Sequence, residues 1–195
     1  MPKLGMEPIR RASLIKATIA EIGAAGSLDV TVSQIAKRAG MSSALAHHYF
    51  GGKEQIFLAA MRYTLTVYGA EVRAALHQAT TSQGRVEAIV RASFSQMNFR
   101  REVVAAWLNF YVLAQKSEEA RRLLVVYQLR LRSNLRHALR PICGDQSDVL
   151  AERIAALIDG AYLRQSLGMD QEDAESVVRL IMGCLPRLER ADGQA

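Results

Sequence analysis

The apolar residues of this 195-residue chain recur at spacings of three and four, the period of helices that bury one face. Ile9, Ala12, Ile15, Ile19 and Ile22 form one such stripe, with Pro8 suited to a first turn and Gly26 to a stop. Val32, Ile35, Ala36 and Ala39 repeat it over two turns, with Thr31 placed as N-cap and Gly40 as breaker. A short third helix is predicted from Ser42 or Ser43 to Phe50, ended by Gly51-Gly52. A longer one runs from Lys53 to about Gln78 and turns Ile56, Phe57, Ala60, Met61 and Leu65 inward. Further helices are expected at about 84–99, 101–115, 117–140, 148–167 and 170–188. Ser117 before Glu118 and Glu119, and Asp170 before Glu172 and Asp173, put caps and negative charge at two helix starts. The four prolines lie outside the long apolar patterns, alternating β-branched runs are scarce, and repeats and low-complexity tracts are absent. The expected fold class is all-α, with about nine helices.

Composition narrows the class. Half the residues are hydrophobic and 23% are charged, an ordinary globular balance for one or two domains. Cys143 and Cys184 are too few for a disulfide framework or a structural zinc site. The longest apolar candidate, 103–114, is interrupted by Asn109 and falls short of a membrane span. Charges in the first residues, where a signal peptide would be apolar, make export unexpected, so a cytoplasmic location and no membrane partner are expected.

Charge distribution adds direction. Of the net +6, a net +4 lies in residues 1–53, where Lys3, Arg10, Arg11, Lys16, Lys37, Arg38 and Lys53 face Glu7, Glu21 and Asp29. A basic end of this kind suits a polyanion such as nucleic acid, or serves simply as a solvated surface.

The stretch TVSQIAKRAGMSSALAHHYF, Thr31 to Phe50, decides between these. Two short helices around Gly40-Met41-Ser42 make a helix-turn-helix, in which the first helix braces the second and the second enters the major groove. Val32, Ile35, Ala36, Ala39, Leu45 and Phe50 are the expected shared core, leaving Ser43, Ala44, His47, His48 and Tyr49 outside. Tyr49 and the imidazoles can donate to phosphate oxygens, and Lys53 sits at the next helix N-terminus, where free amides also favour an anion.

AGMSSALAHHYFGGKEQIFLAAM, following TVSQIAKR, resembles the helix-turn-helix of the TetR family of bacterial repressors over residues 8–68. The resemblance implies a DNA-binding head at residues 1–53, a connecting helix at 54–78, and an effector-binding and dimerisation domain at 79–195. It places Thr31, Ser42, Ser43, Ala44, His47, His48, Tyr49 and Lys53 on a near-palindromic duplex operator. Many members have Gly where this chain has Ala44 and Tyr where it has His47, so the operator sequence does not transfer. MPKLGMEPIRRASLIKAT, AWLNFY, SNL and AALIDGAYLR further resemble the BetI subfamily of choline-sensing repressors of glycine betaine synthesis. That implies a homodimer, formed through the last two helices, that releases its operator when choline binds. The helix from Lys53 to Gln78 is the expected carrier of the shift, because it belongs to both domains.

A choline site must hold a quaternary ammonium, which donates no conventional hydrogen bond but is attracted to aromatic faces and a carboxylate. Trp107, Phe110 and Tyr111 share adjoining parts of one helix face, and Asp159 and Tyr162 are the other expected members, with Tyr127 a further candidate. Aromatics at helical spacing also serve as plain core. Within the same fold, a repressor of an efflux pump that senses lipophilic cations would use a similar pocket. A helical-bundle carrier or enzyme without a DNA role is the alternative of another class. His47 and His48 are adjacent and diverge by about 100° on a helix, so they cannot share a metal. No catalytic constellation is visible, and no metal or cofactor is expected.

Overall fold

The structure, a computed structural model, describes residues 5–168 and 173–185. Among them are nine α-helices and one 3₁₀ turn, and no strand. They are α1 (Met6–Ala25), α2 (Val32–Arg38), α3 (Ser43–Phe50), α4 (Lys53–Gln78), α5 (Ser82–Ser93), α6 (Arg101–Lys116), α7 (Glu118–Cys143), α8 (Ser147–Ser166) and α9 (Ala174–Met182).

The head is α1–α3 with the start of α4. Thr31 caps α2 in a full capping box: its hydroxyl accepts from the Gln34 amide, and its own backbone N–H donates to the Gln34 side chain. Gly40 takes the left-handed φ of +68° that the turn requires, and Ser42 then caps α3 by accepting from the Leu45 amide. Ile35, Ala36, Ala46 and Phe50 are buried in one continuous apolar core with Leu14 and Ile22 of α1. Leu45, expected in this core, is only half-buried, because the register of α3 turns Ala46 inward instead.

The body is α5–α9, with α7 and α8 packed along each other and α6 lodged between them and α1. Gly23 of α1 meets α6 backbone to backbone: a Cβ there would stand 2.5 Å from the Glu102 carbonyl oxygen, so only glycine allows this approach. Head and body therefore share two connections, α4 by covalent continuity and α1 by direct packing.

Three expected boundaries differ. The helix expected at 84–99 ends at Ser93, and residues 94–100 form a turn that brings Phe94 and Phe99 together edge to face. The helix expected to stop at Arg140 continues to Cys143 with Pro141 inside it. The lost N–H there would have served the carbonyl of exposed His137, which water can satisfy, so the last turn tolerates it. The last helix is described at Ala174–Met182, capped by Asp173 accepting from the Ser176 amide; the expected cap at Asp170 and Glu172 lies outside the described residues. Arg91 of α5 holds α9 through a two-pronged pair with Glu175 and also binds Glu87.

Candidate functional site

Two surfaces carry chemistry, one on the head and one in the body. On the head, Ser42, Ala44, His47, His48 and Lys53 are exposed, while Ser43 and Tyr49 are half-buried, all on or beside α3. Thr31 is exposed too, but its hydroxyl is engaged with Gln34. His47 Nδ1 lies 3.2 Å from the Gly51 carbonyl, a distance at which a protonated Nδ1 donates to it.

The α3 surface has a partner that sequence reasoning did not find. Arg11 of α1, counted above with the basic arm, donates from Nη1 to the Tyr49 carbonyl at 2.6 Å and lies over the Phe50 ring at 4.5 Å. It closes the C-terminal end of α3, where carbonyls lack helical partners. Arg38 is likewise engaged, with Glu21. Basic charge in the sequence thus divides between free cations and internal clamps, a division that spacing does not reveal.

In the body, an open pocket of about 240 Å³ lies between α6 and α8, lined by Trp107, Leu108, Tyr111, Asp159, Gly160, Tyr162 and Leu163. Four of the five expected effector residues meet there. Trp107 and Tyr111 stand at right angles with ring centroids 5.7 Å apart, and the Tyr111 hydroxyl donates to Asp159 Oδ1 at 2.9 Å. Burial pushes the Asp159 carboxyl above its ordinary range; the Tyr111 hydrogen bond opposes that rise, and the charge of Glu152 adds to it. The Tyr111 hydroxyl is also held up, first by burial and then by the neighbouring carboxylate. Trp107 Nε1 is buried and makes no hydrogen bond of good geometry, although it lies close enough to Tyr111 to favour the ionised phenol.

Phe110 is the exception. It is fully buried and lines no pocket described here, because it turns one position round α6 into the core and meets Trp107 edge-on at 6.2 Å. Behind Trp107 and Tyr162 lies a second, much smaller cavity of about 20 Å³, bordered by Tyr68, Tyr127 and Asn98. It has room for about one water. The Tyr162 hydroxyl donates to the Ser93 carbonyl. Tyr68 pairs with the Ser93 hydroxyl at 3.2 Å, and burial raises its phenol to about 12. Asn98 donates to Glu71 of α4 at 2.6 Å and to the Ala92 carbonyl at 2.8 Å. Tyr68, Asn98 and Glu71 were missed in the sequence because nothing in their spacing marks them as neighbours. Among the described residues no cluster could hold a metal ion, and no helix is long and apolar enough to cross a membrane.

Residues 14–60 match the family described as bacterial regulatory proteins of the tetR family, and residues 82–188 match the BetI-type transcriptional repressor C-terminal family. The chain belongs to the TetR family, in its BetI branch. It is 50% identical over 182 residues to the HTH-type transcriptional regulator BetI of Brucella melitensis, covering 93% of this chain and 92% of that one. With BetI of Rhizobium meliloti it shares 49% over 194 residues, 99% of this chain and 96% of the other. Among solved structures, a transcriptional regulator of Saccharomonospora viridis in complex with choline superposes with a TM-score of 0.78 at 22% identity, covering 88% and 92% of the two chains. This chain is therefore a DNA-binding transcriptional repressor of the BetI type, not an enzyme. TetR-family regulators bind DNA operators and small-molecule effectors and dimerise. A helical carrier or enzyme without a DNA role is thereby set aside.

Proposed function

We propose that this BetI-type repressor controls genes for choline uptake and glycine betaine synthesis, and that choline releases it from its operator by entering the α6–α8 pocket. One observation carries the choice of site: a half-buried carboxylate, Asp159, sits with the rings of Trp107, Tyr111 and Tyr162 around about 240 Å³. Drug-sized ligands take roughly 300–1,000 Å³, so this volume suits a smaller molecule. A quaternary ammonium gains about 0.5–2 kcal/mol from an aromatic face and further attraction from the carboxylate. The choline complex of the Saccharomonospora viridis regulator, a protein of the same fold, supports this reading.

On the DNA side, Ser42, Ser43, Ala44, His47, His48, Tyr49 and Lys53 form the surface proposed to meet the major groove, with Thr31 beside it as helix cap. Two copies would join through α8 and α9, where Val149, Leu163, Leu167 and Leu180 are exposed, each half or more, and Gly160 permits close approach. Two-fold symmetry then sets two recognition helices on a near-palindromic site. Trp107 and Tyr111 lie on α6, and α6 rests on α1 at Gly23, so effector binding can reach the head through α1 as well as through α4.

Labelled DNA from upstream of this chain's own gene, titrated at fixed salt with and without choline, tests the proposal. Specific binding weakened by choline is the expected result, and specific binding indifferent to choline would remove choline as the effector. Arg11→Met, which removes the charge but keeps an unbranched side chain, is expected to weaken operator binding about tenfold, as a lost hydrogen bond and ring contact would, while leaving the salt slope unchanged. A slope reduced by about 0.9 would instead make Arg11 a phosphate contact.

A further inference from the structure

A groove of about 640 Å³, wider than the α6–α8 pocket, lies between α4 and α7. Its floor is apolar, built from Leu65, Val72, Leu123 and Leu131, with Tyr68 and Tyr127 at its inner wall. Three arginines line it, Arg62, Arg73 and Arg130, and no carboxylate does. Arg62 ties the two helices together through Glu119. Arg73 and Arg130 have no ion-pair partner among the described residues, and an Arg73 amine lies against Gly69, 3.4 Å from where a Cβ would stand. Val126, 45% exposed, also turns its apolar surface into the groove rather than into the core.

From this juxtaposition of an apolar trough and unpaired guanidinium groups, we propose that the α4–α7 groove is a second effector site, for an amphipathic anion: a carboxylate on an alkyl chain. The chain would lie on the leucines, covering apolar surface that water now meets. The carboxylate would face Arg73 and Arg130, whose planar forks accept it by paired hydrogen bonds. The sign of charge separates this site from the α6–α8 pocket, where Asp159 asks for a cation. The groove is concave and closed on two sides by helices, so it admits a single chain rather than a lipid surface. A ligand wedged between α4 and α7 would also bear on α4, which runs directly into the DNA-binding head.

Titration calorimetry of the full-length dimer with decanoate provides the test, with decyltrimethylammonium as the charge-reversed probe. One saturable decanoate site per chain is expected, weakened tenfold or more in Arg73→Glu/Arg130→Glu. Both arginines are exposed, so the fold should survive, and retained choline binding in the double variant verifies that it does. Decyltrimethylammonium should bind the wild-type groove more weakly than decanoate and regain ground in the variant. The absence of a saturable decanoate site, or equal decanoate affinity in wild type and double variant, overturns the proposal. Asp159→Asn separates the two sites, since it should weaken choline binding roughly 100-fold while decanoate binding stays unchanged.

Discussion

Asp159→Asn is expected to weaken choline binding roughly 100-fold and to leave operator affinity in the absence of choline unchanged. A cation about 5 Å from a carboxylate at an effective dielectric near 20 gains about 3 kcal/mol, of which some is returned as lost hydration. Asparagine keeps the shape and still accepts from the Tyr111 hydroxyl, so the change isolates charge. Acidity should act in the same direction. Burial raises the Asp159 carboxyl, so choline affinity falls as pH drops through that raised value, earlier than an exposed carboxylate would allow. Stability moves the opposite way. A carboxyl raised in the folded state favours folding at low pH and loses that contribution as pH rises through its folded pKa. Removing the charge should therefore hold or raise Tm at neutral pH, with the gap to wild type closing on acidification. Calorimetry with choline from pH 5 to 8, beside thermal unfolding, reads both. Unchanged choline affinity would take Asp159 out of the site.

Tyr49→Ala combined with Lys53→Ala is expected to reduce specific operator binding about 10³-fold. Hydrogen bonds involving a charged group contribute about 1.5–3 kcal/mol each, and two such contacts reach that range. Lys53 is exposed at the first turn of α4, where its charge and the free helix amides face the same anion. Its loss should also lower the salt slope by about one, the mark of a phosphate contact. Tyr49 is half-buried and packs on the core, so alanine there also removes contacts. Tyr49→Phe keeps the packing and removes only the hydroxyl, and should itself cost about tenfold if that hydroxyl donates to DNA. Anisotropy on the operator and on an unrelated duplex measures both effects. Full operator affinity in the double variant would move the recognition surface elsewhere.

The Arg11 clamp shows where reading the chain reaches its limit. Its charge was plain, but a carbonyl 38 residues away decides whether that charge is free for DNA or spent within the head. Phe110 shows the same limit in the body. Helical spacing put it beside Trp107 and Tyr111, yet 100° of rotation separates a pocket wall from the packed core.

What the sequence determined by itself is local: helix periods, the capping box at Thr31, the left-handed glycine at 40, and the apolar stripes that commit the chain to an all-α fold. Hydrogen bonds and backbone preferences within four residues write these directly into the order of side chains. Tertiary structure alone decided which aromatics face open space, that Asp159 meets Tyr111 across 48 residues, and that Tyr68, Glu71 and Asn98 converge behind them. It also decided that Arg73 and Arg130 flank an apolar groove without a carboxylate. Contacts between distant segments depend on helix rotation and on the fit of several packed faces at once, and no single stretch of the chain contains that information.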